Sequence, residues 1–235
     1  MKNLTATICL AVALLIGSAG VSWSQDYQKG LAAAESGDFA TALRERTPVA
    51  KQGYADAQTN LGVMYRQGQG VPMDDKTAEK WFRLAAEQRY ANAQNNLGVM
   101  YRHGMGVPQN DKTAVKWYRL AAEQGDADAQ LNLGLMYQYG RGVPKNHKTA
   151  AKWYKLAAEQ GDADAQSNLA LMYKEGQGVI QDNVYAHMWW NIGAMTGSEM
   201  STMFRDSVEE EMTSSQLAEA RKLARECIRK KYKGC

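Results

Sequence analysis

Several chemistries are missing from this 235-residue chain. No C-x-x-C or H-E-x-x-H spacing occurs, and His103, His147 and His187 stand far apart, so no metal site is expected. No S-x-x-K is present, and Lys76-Thr-Ala, Lys112-Thr-Ala and Lys148-Thr-Ala lack the glycine of K-T-G, which removes the serine–lysine route to hydrolysis. The glycine-rich stretches around Gly68 and Gly70 follow no strand pattern and do not end in G-K-[ST], so they are not phosphate loops. No catalytic function and no cofactor are therefore expected. Charge of one sign is also scarce in excess: 28 Lys and Arg face 25 Asp and Glu. The short basic run Ile228 to Lys233 suits a helix end, where cations meet the negative end of the dipole, better than a nucleic-acid surface.

Long apolar runs are limited to the beginning of the chain. Lys2 precedes the strongly apolar Ala6 to Ile16, which is shorter than the ~20 residues of a spanning helix, and small residues Ser22 and Ser24 flank Trp23. This reads as a signal peptide, residues 1–24, cleaved after Ser24, with cleavage after Gly20 as the alternative. The expected location is periplasmic or secreted, with no stable membrane span after cleavage. Loss of Lys2 takes the 28 basic residues to 27 against 25 acidic, a formal charge of +2. Cys227 and Cys235 then remain, and an oxidising compartment would allow a bridge between them; a free thiol or an intermolecular link are the alternatives.

What the chain does have is repetition. "NLGVMYRQGQGVP" from Asn60 returns as "NLGVMYRHGMGVP" from Asn96, "NLGLMYQYGRGVP" from Asn132 and, more loosely, "NLALMYKEGQGVI" from Asn168, a constant step of 36 residues. Within one period, Asp126 is an N-cap, and Ala129, Leu133, Met136 and Tyr137 fall on one helical face that ends at Gly140. Gly140 to Pro144 break the chain. Asn146 can cap a second helix that turns Ala150, Trp153, Tyr154, Leu156 and Ala157 to a core before Gly161. Each unit is thus an αα-hairpin too small to be stable alone. Stacking successive copies buries a shared core, which makes an all-α solenoid.

The periodic residues receive structural readings. Trp81, Trp117, Trp153 and Trp189 are expected as packing wedges. Gly62, Gly98 and Gly134, with Ala170 in the fourth copy, sit mid-helix, where glycine costs about 0.5–1 kcal/mol, and so mark a close helix crossing. The Gln58, Gln94, Gln130, Gln166 and Asn60, Asn96, Asn132, Asn168 series are expected to bond repeat to repeat, and lone histidines to be surface decoration. Domain boundaries follow: 25–54 amino-terminal capping helices, 55–198 four repeats, 199–235 carboxyl-terminal capping helices. The last of these includes a helix from about Ser214 to Lys231, started by the capping box Thr213-Ser-Ser-Gln216.

The phrases "ADAQxNLGxMYxxGxGVP" and "KTAxKWYxLAAEQG" resemble the Sel-one-like repeat, a relative of the tetratricopeptide repeat. The resemblance implies a right-handed α-solenoid and a protein-binding adaptor, of a kind implicated, in exported bacterial members, in envelope assembly and contacts with host proteins. Cysteine-rich relatives are associated with β-lactam binding and hydrolysis, but the repeats here carry no cysteine pair.

A solenoid of this kind holds partners in the concave groove lined by its first helices, at positions whose chemistry changes between copies. Three series vary: Thr59, Asn95, Leu131 and Ser167; Arg66, Arg102, Gln138 and Lys174; and Gln67, His103, Tyr139 and Glu175. The second is a mostly basic row able to clamp a partner's carboxylates. A hot spot is expected around His103 and Tyr139, with Met105 and Arg141 extending it. The expected ligand is another protein or peptide and not nucleic acid. A cell-wall or glycan scaffold that stacks sugars on Tyr90 and Tyr139, and assembly through Cys227 or Cys235, are the alternatives.

Overall fold

The computed structural model describes residues 28–235, so the signal-peptide reading lies outside the described residues. Every regular element among them is a helix: α1 over residues 28–35, then α2 Phe39–Lys51, α3 Ala55–Gln67, α4 Asp75–Glu87, α5 Ala91–His103, α6 Asp111–Ala122, α7 Ala127–Tyr139, α8 His147–Ala158, α9 Ala163–Glu175, α10 Asn183–Met195, α11 Glu199–Glu209 and α12 Ser214–Arg229. No helix among the described residues is long and apolar enough to cross a membrane. The chain forms two compact units: one extends to Ala93 and takes in Met105–Pro108, the other comprises Gln94–Gly104 and Gln109–Cys235.

In the first unit α2 packs on α3 and α3 on α4. Asp38 starts α2 by accepting from Thr41 N at 3.1 Å, and its apolar side joins Val49 and Ala50 to Ala57, Leu61 and Met64 of α3. Gly62 is where α3 and α4 touch: a Cβ there would stand 2.6 Å from the Phe82 ring. Past α3, Gly68 takes the left-handed conformation (φ 68°), and the turn is latched by Asp74 N donating to Tyr65 O at 2.9 Å. Asp74 also caps α4 through Thr77 N at 3.0 Å, and the bonds from Thr77 hold its carboxyl below the usual range. Two local costs stand out in this unit. Tyr54 precedes α3 without a side-chain cap, which forgoes about 0.5–2 kcal/mol. Arg89 adopts φ 66°, a left-handed conformation worth about 1–2 kcal/mol against a non-glycine residue.

The second unit repeats this construction. Cβ atoms on Gly98 and Gly134 would lie 2.5 Å from the rings of Tyr118 and Tyr154. Asn110, Asn146 and Asp182 each latch their turn by donating to the carbonyls of Tyr101, Tyr137 and Tyr173 at 2.8–2.9 Å. Each also caps the following helix with its side chain. The mid-helix glycines are therefore close crossings, and the ring seated on each is the residue after the tryptophan, while Trp81 packs against the first unit's core as a half-buried side chain. Phe82, Tyr118 and Tyr154 are fully buried, whereas Trp81, Trp117 and Trp153 are half-buried; of the four tryptophans in that series only Trp189 is enclosed. Leu156, expected in the core, is corrected. It is 44% exposed, as Leu84 (45%) and Leu120 (46%) are, while Ala157 and Ala158 fill the interface.

The glutamine series does bond repeat to repeat. In the first unit Gln58 Nε2 reaches back to Ala50 O (3.1 Å) and its Oε1 accepts from Gln88 Nε2 (2.8 Å). The second unit pairs Gln130 with Ala122 O and Gln160, and Gln166 with Ala158 O. Position 196 is a threonine where 88, 124 and 160 are glutamines, and Gln166 Oε1 is left buried without a partner. The asparagines are less uniform: Asn132 bonds to Asn95 (3.1 Å), but Asn168 turns to Asp164 O of its own helix.

At the carboxyl-terminal end α10 packs against α9, α11 and α12. Trp190 stacks on Phe204 with ring centroids 5.3 Å apart, and Ala224 and Cys227 of α12 close the core. The capping box of Thr213 and Gln216 is formed in both directions. Helix α12 stops two residues short of Lys231, because Lys231 (φ 52°) and Tyr232 (φ 65°) turn the chain back. There Cys227 and Cys235 are disulfide-bonded, with Cα atoms 5.5 Å apart. Of the arrangements open from the sequence, the structure has the internal bridge.

Candidate functional site

The three varying series meet different fates. Thr59 and Asn95 are buried: Thr59 Oγ1 donates to Ala55 O at 2.8 Å, and Asn95 Oδ1 accepts from Asn132. Leu131 is half-buried against the core of the second unit, and Ser167 is half-buried. Thr59 and Asn95 are thus corrected from binding surface to packing, because their polar atoms are buried and bonded within the chain.

The basic row is largely engaged inside the protein. Arg66 lies with its guanidinium 5.8 Å above the centre of the Phe82 ring. Arg102 donates to Asn132 Oδ1 at 3.4 Å and sits beside the Tyr118 hydroxyl. Burial pushes that phenol up to about 12, and Arg102 opposes the shift. Gln138 is buried and accepts from the Tyr154 hydroxyl, so it too is corrected from surface to interior. Lys174 forms an ion pair with Glu211 that holds the Glu211 carboxyl below its ordinary range. These polar ends complement the ring or terminal turn of the chain itself, a demand the sequence does not show.

Gln67, His103, Tyr139 and Glu175 are all exposed. They occupy the last position of α3, α5, α7 and α9, one step past the residues that face the neighbouring helix. Tyr139 is 61% exposed and carries the Arg141 guanidinium 5.8 Å from its ring centre. The pair offers a rigid aromatic face with a cation held against it, a combination suited to aromatic, carboxylate and amide groups on a partner. Met105, in the first unit, is 36% exposed.

A second cluster lies outside the three varying series. His187, expected as surface decoration, is enclosed in α10 with its Nε2 2.7 Å from Glu209 Oε1, and Arg221 grips the same carboxylate at 3.2 and 3.3 Å. Burial lowers the imidazole pKa against the opposing pull of Glu209, with Arg205 and Arg221 adding to the lowering. The Glu209 carboxyl is itself held down by His187. Below the unfolded value of 6.5 the unfolded chain binds the proton that folded His187 resists, so stability falls as pH drops through that window. Below 4.5 the Glu209 contribution begins to go, and it is lost as pH passes its lower folded value. Urea midpoints at pH 7.5 and 5.5 are expected to separate for the native chain and to converge for His187→Gln; an unchanged gap in the variant would assign the pH response elsewhere. Among the described residues no three His, Cys, Asp or Glu side chains converge as metal ligands.

Comparison with known proteins follows the same periodicity. The Sel1 repeat family model matches residues 55–90, 91–126, 127–162 and 163–198. A protective antigen present in uropathogenic Escherichia coli strains, with an SLR fold, is 36% identical at a TM-score of 0.76, over 82% of this chain and 41% of that one. This chain therefore spans less than half the length of that relative. A Sel1 repeat protein from Oxalobacter formigenes is 36% identical with a TM-score of 0.70, over 76% of this chain and 74% of that one. A structure from Klebsiella pneumoniae subsp. pneumoniae shares the fold at 22% identity and a TM-score of 0.53, over 80% and 93% of the two chains. No curated protein matches the chain.

Proposed function

The chain belongs to the Sel1 repeat family, whose members generally mediate protein–protein interaction, and from that premise we propose that it is an exported, non-enzymatic scaffold that holds a partner protein or peptide at the exposed ends of its first helices. The observation that carries this reading is the contrast between neighbouring positions. The glutamines of each copy, and the mid-helix glycines of the first three, are engaged with neighbouring helices, while the terminal residue of each first helix is exposed and different every time: Gln67, His103, Tyr139, Glu175. Fixed framework and variable surface side by side is how a repeat array acquires specificity without altering its fold. Within the second unit Tyr139 and Arg141 are the strongest anchor, since tyrosine and arginine are the side chains enriched at binding hot spots and these two already lie against each other. Export rests on the Ala6–Ile16 apolar run and on the disulfide between Cys227 and Cys235, which persists in an oxidising compartment.

The test is cross-linked capture from the envelope of the native cell, with the native chain beside a Tyr139→Ala/Arg141→Ala variant. Both residues are exposed, so helicity and melting are expected to stay as they are. A protein captured by the native chain and lost with the variant supports the reading; equal capture by both moves the contact away from this surface. Arg102 is left unaltered, because its contacts with Asn132 and Tyr118 would confuse loss of binding with loss of packing.

A further inference from the structure

Equivalent turns lead into each repeat and into α11, and their chemistry is not equivalent. Asp126, Asp162 and Ser198 accept hydrogen bonds from the helices they precede. At the same register Tyr54 makes no cap, and Tyr90 sends its hydroxyl to Asp56 Oδ1 at 2.9 Å. One residue earlier Gly53, Gly125, Gly161 and Gly197 hold φ of 92–102°, while Arg89 is forced to 66°. Both departures from the best local choice fall in the first unit, at neighbouring turns, where a local misfit is a pointer to function.

Those turns border an open pocket of about 590 Å³ lined by Gln52, Gly53, Tyr54, Ala55 and Gln88. Tyr54 is 53% exposed, and Gly53 leaves the floor clear, since a Cβ there would meet nothing within 4 Å. Gln88 uses its Nε2 on Gln58 Oε1 (2.8 Å) and Leu84 O (3.2 Å), which leaves its carbonyl oxygen as the acceptor toward a ligand. The Tyr90–Asp56 bond ties the turn carrying Gln88 to the helix that follows Tyr54, so the two walls are fixed relative to each other.

The lining has one aromatic face, two amide side chains and no charged group. An anion would find no cation in it, and an apolar ligand would find a single ring and no enclosure. A sugar ring matches it: C–H bonds on one face for the phenol ring, and hydroxyls around the edge that both donate and accept, as amides do. We propose that this pocket binds a neutral pyranose ring of a glycan, with Tyr54 as the stacking platform and Gln52 and Gln88 bonding its hydroxyls. This site is separate from the Tyr139–Arg141 surface and does not depend on it.

The experiment is saturation-transfer NMR and tyrosine fluorescence titration of the purified chain with chitotriose, cellotriose and maltotriose. The informative variant is Tyr54→Asp, which removes the ring and installs the cap seen at Asp126 and Asp162, so its melting temperature should rise or hold. The expected result is saturable binding of at least one trisaccharide, weakened about tenfold or more by Tyr54→Asp and unchanged in Tyr139→Ala/Arg141→Ala. Binding of none of the three, or equal binding by Tyr54→Asp, overturns the proposal. Loss in the Tyr139 variant instead would place the sugar on the protein-binding surface and overturn it equally.

Discussion

Gly142→Ala is expected to destabilise the second unit by about 2–5 kcal/mol, although it adds a single methyl group to a half-buried turn. Two effects combine. Gly142 has φ 68°, where a Cβ costs about 1–2 kcal/mol. The added atom would also stand 2.4 Å from Asp111 O, 2.5 Å from Asp111 C and 2.8 Å from Lys112 N. Those are backbone atoms at the start of the preceding repeat's second helix, so no side chain can swing away, and overpacking of this kind costs about 1–3 kcal/mol. Gly178 meets His147 and Lys148 in the same way. The control is Gly125→Ala, where φ is 94° but nothing lies within 4 Å of the new atom, so only the conformational cost of about 1–2 kcal/mol is expected. Urea unfolding of both variants, followed by circular dichroism, checks the claim. Equal losses would mean that the turn does not seat on its neighbour.

The second large effect concerns adjacent aromatics. Tyr154→Ala is expected to cost about 3–5 kcal/mol, because the ring is fully enclosed against Gly134 and its removal leaves a cavity that the helices cannot close. Trp153→Ala deletes a larger side chain, yet should cost only about 1–2 kcal/mol, in keeping with half burial. Tyr154→Phe keeps the ring but strands Gln138 Oε1 in the interior, a loss of about 1–3 kcal/mol. Thermal or chemical unfolding of the three variants orders them; a Trp153 variant as unstable as the Tyr154→Ala chain would falsify the assignment of the wedge.

That contrast explains what could be read beforehand. The helix pairs, their turns and several caps are local: Asp126, Gly140 and Asn146 signal them through their own backbone preferences, and the period of 36 shows that the signal is repeated. Which of Trp153 and Tyr154 points inward is not local. One step along a helix turns the side chain by about 100°, both residues recur with the same period, and the deciding fact is the bare Cα of Gly134 on another helix. Leu156 misleads for the same reason: helices this close admit Ala157 and Ala158 but not the larger side chain beside them. Arg102 and Lys174 look like a free basic row until the buried phenol of Tyr118 and the carboxylate of Glu211 are placed next to them. His187 offers no hint of burial, since Glu209 reaches it from 22 residues away.

The glutamine bonds also bear on how such a chain changes length. The joint at Gln130 shows the pattern in full: its side-chain amide donates to the carbonyl that ends the previous helix and accepts from Gln160, 30 residues on. A whole copy inserted or deleted between two such joints leaves every remaining joint with its own partners. Gln166 departs from the pattern, since position 196 is Thr196 and no glutamine stands there to donate to its Oε1. Within the second unit the addition of a copy is therefore compatible with the bonds that Gln130 already makes.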